Sequence, residues 1–84
     1  MALDGTDLSG AVLTGARLVE ARLRGCRLRG ADLRGADATG ADLRDADLRQ
    51  ARMHRCDLRR ADLRGANLEE ANLWAGPPSR PDRR

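Results

Sequence analysis

An apolar residue recurs at every fifth position from Leu3 to Leu73, giving fifteen centres with no break in register; only Ala38 and Met53 among them are not Leu. Two residues before each centre stands Ala or Cys, except at Met1 and Thr6. A helix cannot use this spacing. Five residues at about 100° each turn the apolar position by about 140° per unit, which would spread Leu around the whole cylinder. Gly recurs at the unit ends, as in Gly5, Gly25 and Gly65, and each costs a helix about 1 kcal/mol relative to Ala. A short extended segment fits instead, because positions two apart share a face: Ala and Leu point inward and the residue between them outward. Gly then lets the chain turn before the next segment. Inward Leu demands closure, so the pattern predicts an all-β solenoid whose layers stack about 4.8 Å apart.

The pattern stops at residue 75. Beyond it Gly76, Pro77 and Pro78 restrict the backbone, and Ser79–Arg84 has nothing apolar to bury. The expected division is a repeat domain over 1–75 and a disordered Pro/Arg-rich tail over 76–84. A solenoid end exposes unpaired backbone and a disc of core. Trp74, the single Trp, lies in the last unit; it is the candidate end cap, or the contact of a homodimer formed through that end.

Composition supports a thin interior. The chain has 84 residues with no Phe or Tyr, and a chain this short buries only about 60–65% of its unfolded surface, too little for a conventional core. The formal charge is +3, but within residues 1–75 thirteen Arg face twelve acids, leaving +1. Net charge therefore gives no nucleic-acid footprint. Cys26 and Cys56 occupy Ala positions and read as small inward residues. With no charged and apolar leader and no run of about 18 apolar residues, the expected location is cytoplasmic, with no membrane contact. His54 falls at an outward position and is expected to be exposed. One His and two Cys in different layers do not make a zinc set, and the glycines follow the repeat instead of clustering in a phosphate-binding loop. No catalytic residue, cofactor or metal is expected.

Ala31-Asp32-Leu33-Arg34-Gly35, Ala61-Asp62-Leu63-Arg64-Gly65 and Ala66-Asn67-Leu68-Glu69-Glu70 carry a family resemblance. Residues 1–75 are similar to the pentapeptide-repeat proteins, whose unit is a small residue, Asp or Asn, Leu and two variable positions. The resemblance implies a right-handed parallel quadrilateral β-helix with four units per turn, here just under four turns and roughly 18 Å long. Val12, Arg17, Arg22, Arg27 and Arg52 depart from the motif where Asp or Asn is usual. Ala38 replaces a central Leu, a loss of about 2–5 kcal/mol without repacking, so local repacking, a dent or kink, or a functional hollow is expected there.

At twenty residues per turn, Arg24, Arg44 and Arg64 share one outward column, with Arg22 beside them and Asp42 and Asp62 in the adjoining column. The simpler reading is a lattice of exposed ion pairs, each worth about 0–1 kcal/mol. The functional reading is an Arg ladder for phosphates or an acidic protein surface, with Arg22, Arg24, Arg44 and Arg64 as candidate partner-binding residues. The leading expectation is a non-enzymatic scaffold that binds an unidentified protein through flat charged faces. The resemblance adds a second: some members imitate duplex DNA and modulate DNA gyrase, a role that the slight positive charge and short rod argue against. A third, nucleic-acid binding by the Arg columns, lacks the aromatic platform that single strands favour.

Overall fold

The structure is a computed structural model that describes residues 2–73. The expected disordered tail and the cap or dimer role of Trp74 lie outside the described residues. Parallel bridges join residues twenty apart, from Ala2 with Arg22 to Arg52 with Asn72, each made by the residue before a centre. Twenty residues per turn with a five-residue unit means four sides. The first side carries Leu3, Leu23, Leu43 and Leu63, the second Leu8, Leu28, Leu48 and Leu68, the third Leu13, Leu33, Met53 and Leu73, and the fourth Leu18, Ala38 and Leu58.

Each layer both donates to and accepts from its neighbours. The Leu3 N–H donates to the Arg22 carbonyl at 2.7 Å, and the Arg27 N–H donates to the Thr6 carbonyl at 2.9 Å. Corners are β-turns closed by the next unit onto the centre, as when the Thr6 N–H donates to the Leu3 carbonyl at 3.0 Å. The third turn residue has φ of 68–76° where it is Gly and 56–61° where it is Glu20, Asp45, Gln50, Arg55, Arg60 or Glu70. Only that position is left-handed, as a type II turn requires, which explains the recurrence of Gly at the unit end.

The inward pairs fill the rod. Fifteen apolar residues from Leu18 to Met53 are buried, and among the described residues no polar or charged residue joins them. Leu3, Leu8 and Leu13 at one end, and Leu58, Leu63 and Leu68 at the other, pack half-buried against this core.

Ala38 does not kink the rod: its N–H donates to the Asp57 carbonyl at 2.8 Å and its carbonyl accepts from Ala41 at 3.0 Å, in register with every other unit. A hollow of about 10 Å³ remains beside it, lined by Leu18, Leu58 and Met53 among others. That is at the lower limit for one water and offers no polar partner, so the hollow is dry.

Cys26 and Cys56 are free thiols, on the second and fourth sides. Cys26 Sγ donates to the Leu3 carbonyl at 3.0 Å. Burial pushes the Cys26 thiol pKa up, and Cys56 reaches about 11 for the same reason, with Asp57 and Asp37 adding to the effect.

Candidate interaction surface

The outer faces begin with a backbone donor that the ladder leaves over. The N–H groups of the centre, the residue before it and the turn are used between layers or in the turn; the N–H of the residue after the centre is not. Asp or Asn before the centre supplies its acceptor. Oδ1 of Asp37 accepts from the Thr39 N–H at 3.1 Å, Asp47 from Arg49 at 3.2 Å, and Asn67 from Glu69 at 3.0 Å. These Asp residues thus do more than cover an outer face. Each completes the backbone hydrogen bonding of its own unit, in an Asx-type loop.

Where Arg follows the centre, the same carboxylate also holds its guanidinium. Asp32 accepts from Arg34 Nε at 2.8 Å and from its terminal nitrogen at 2.6 Å. Asp42 holds Arg44 at 2.9 and 2.8 Å, and Asp47 holds Arg49 at 2.8 and 2.7 Å. Asp57 with Arg59 and Asp62 with Arg64 repeat the clasp. A bidentate pair of this kind is the strong form of a charge-assisted hydrogen bond. Side-chain hydrogen bonds from the clasping Arg are the main cause that lowers Asp32, Asp47 and Asp57 to about 2, and Asp42 lower still.

The structure brings Arg24, Arg44 and Arg64 onto the first side, with Arg22, Asp42 and Asp62 in the neighbouring bridged column. They are not equivalent. Arg44 and Arg64 are clasped, and Arg44 Nε also lies 3.9 Å from Asp62. Arg22 and Arg24 reach acids only at 3.8 Å, Asp4 and Asp45 respectively, with 68% and 55% of their side chains exposed. The Arg24 unit has Arg22 where the Asx acceptor should be, and its N–H donates to Asp4 Oδ1 one layer away, at 3.0 Å.

Sequence reasoning missed Arg27 and Arg29 on the second side. Both are exposed, and neither has an ion pair within 4 Å among the described residues. The signal was present: Arg22-Leu23-Arg24 and Arg27-Leu28-Arg29 are consecutive units with Arg at both outward positions, so neither contains the Asp that would clasp the second Arg.

His54 corrects another expectation. It is half-buried instead of exposed, and its Nδ1 is enclosed without a hydrogen-bond partner. Among the described residues no group of three or more His, Cys, Asp or Glu could hold a metal ion, and no helix is long and apolar enough to cross a membrane. An open cavity of about 590 Å³ is lined by Thr39, Arg59 and Arg60, but Arg59 is already held by Asp57.

The family model described as pentapeptide repeats (8 copies) matches residues 2–30, 16–55, 26–65 and 39–74. The chain belongs to the pentapeptide-repeat family, whose members form right-handed quadrilateral β-helices and are generally non-enzymatic. Among solved structures it is similar to the pentapeptide-repeat protein Rfr23 from the cyanobacterium Cyanothece 51142, with 42% identity and a TM-score of 0.86 over 87% of this chain and 50% of that one. It is also similar to alr5209 from Nostoc PCC 7120, with 49% identity and a TM-score of 0.77 over 77% of this chain and 54% of that one. HetL from Nostoc sp. strain PCC 7120, a protein involved in heterocyst differentiation regulation, matches at 41% identity and a TM-score of 0.52 over 86% of this chain and 36% of that one. The chain therefore spans about half or less of the length of these three proteins. No curated protein matches it significantly.

Proposed function

We propose that this chain is a non-enzymatic scaffold of just under four β-helical turns, binding a protein partner through its flat charged faces. The observation that carries this reading is the set of Asp–Arg clasps, five in residues 32–64. Each clasp is anchored to its own backbone, so the outer charges hold fixed positions on a hydrogen-bonded ladder. Fixed charges on a flat face favour register and partner choice over chemistry. The free thiols suit a reducing compartment such as the cytoplasm.

The clasps also argue against the gyrase-directed mimic of duplex DNA, because carboxylates already held by guanidinium are poor stand-ins for a row of phosphates. The test is cross-linking from photoreactive residues placed singly on each side, with protein and nucleic acid recovered separately, beside salt-titrated binding to duplex DNA, single-stranded DNA and gyrase. A protein cross-linked saturably from one side, with only weak, salt-labile DNA binding, is the expected result. Nucleic acid as the saturable partner, or no saturable protein, overturns it.

A further inference from the structure

The clasps leave eight Arg of the described residues outside them; Arg17, Arg52, Arg55 and Arg60 stand on the third and fourth sides, and the other four lie together. Arg22 and Arg24 on the first side and Arg27 and Arg29 on the second lie in one layer, on either side of the corner at Gly25. None has an Asp in its own unit. All four are exposed.

Acids border this group on both sides along the rod. In the layer before it, Asp4 lies 3.8 Å from Arg22 and Asp7 is bridged to Arg27. In the layer after it stand the Asp42 and Asp47 clasps and Asp45, 3.8 Å from Arg24. This group of four Arg therefore forms a band one layer high, about 4.8 Å, running round a corner. It is not a column along the axis.

This shape selects among anions. A duplex carries a charge about every 1.7 Å of its axis and a groove about 12 Å wide, so any approach spreads phosphates over the bordering carboxylates. Among the described residues a single strand would find no aromatic side chain beside these four Arg on which to stack bases. An extended acidic peptide fits. Its alternate side chains are about 6.6 Å apart on one face, the spacing that also separates Arg22 from Arg24 and Arg27 from Arg29 across an intervening Leu. Carboxylates match guanidinium bidentately.

We infer that the band formed by Arg22, Arg24, Arg27 and Arg29 is the docking surface for an extended acidic segment of a protein partner, lying along one layer and turning the corner at Gly25. This rests on the scaffold reading and names the part of the surface that reading would use.

The test uses the whole chain and a labelled peptide, Glu-Ser-Glu-Gly-Ser-Glu-Ser-Glu, with a Gln-for-Glu version as control. The Glu peptide should bind saturably and the Gln peptide should not. Arg27→Gln with Arg29→Gln should weaken binding about tenfold or more, as the loss of two exposed charge pairs allows. Arg44→Gln with Arg64→Gln, on clasped positions, should change it by less than about twofold, and circular dichroism at the assay temperature should show both variants folded like the parent. Equal losses in the two variants, or no saturable binding of the Glu peptide, overturn the band. So does tighter binding of a short single-stranded or duplex DNA at the same salt. A protein partner found by cross-linking that ignores the Arg27 and Arg29 substitutions removes the band and leaves the scaffold; failure to find any protein partner removes the scaffold itself.

Discussion

The Asp45 side chain lies directly over the Gly65 backbone, in the space that a Cβ at position 65 would enter. Both sit at the unit end on the first side, twenty residues apart, and Gly65 has φ of +76°. Gly30 has φ of +69° but nothing within 4 Å of its absent Cβ. The two glycines thus separate backbone strain from crowding.

Gly30→Ala should cost about 1–2 kcal/mol, the penalty of a left-handed backbone for a residue with Cβ. Gly65→Ala should cost more, and Asp45→Ala should remove most of the excess. Denaturant unfolding of the three variants and the double mutant checks this, and additive losses would show that the two positions do not meet.

Acid should unfold the protein through the clasps. A carboxylate with a depressed folded pKa contributes stability that is fully present above its unfolded value near 3.9 and is lost as pH falls through the folded value. Asp32, Asp47 and Asp57 sit at about 2, so the melting temperature should be flat down to about pH 5 and fall between about pH 4 and 2. Asp47→Asn, which keeps the acceptor for the Arg49 N–H but not the charge, should flatten part of that fall. An unchanged slope would show that the clasp is open in solution.

Ala38→Leu should stabilise the protein or leave it unchanged. Leu18 and Leu58 occupy the same centre in the layers on either side, and the hollow between them is dry. A loss of more than about 1 kcal/mol in chemical denaturation would mean that the neighbours have closed the space and that the larger side chain overpacks it.

Leu43→Asp should prevent folding. Leu43 is 2% exposed in a core that holds no polar group among the described residues, so the carboxylate would be buried without a partner. Circular dichroism should show the β-type signal of the parent disappearing. A folded variant with unchanged melting would place position 43 on the outside.

The stacked all-β solenoid was legible from spacing alone, while its four-sided turn came with the family resemblance. A period of five that contains a period of two excludes a helix, and the motif carried by Ala31–Gly35 and its repeats pointed to the family. Ala38 was legible as an anomaly, though its result, a small dry hollow in an unbroken ladder, depended on how far neighbouring Leu side chains reach. The role of Asp before each centre was not legible. It answers a donor that becomes identifiable only when the whole ladder is known. The difference between Arg44 and Arg29 followed from the same hidden rule: identical residues at equivalent positions, one clasped and the other not, according to the residue two before. His54 escaped because an outward position in the unit does not by itself set exposure.

The four-sided turn has a consequence for how such a chain can change over generations. Inserting or deleting twenty residues adds or removes a storey and leaves every later residue on the side it had before. A change of five residues keeps the core pattern intact but moves everything after it a quarter-turn around the rod. The gain or loss of one unit, neutral to the interior, would therefore carry a binding surface to a different compass point and set it above different neighbours. A lineage could re-aim its surface in one genetic step without inventing a new contact.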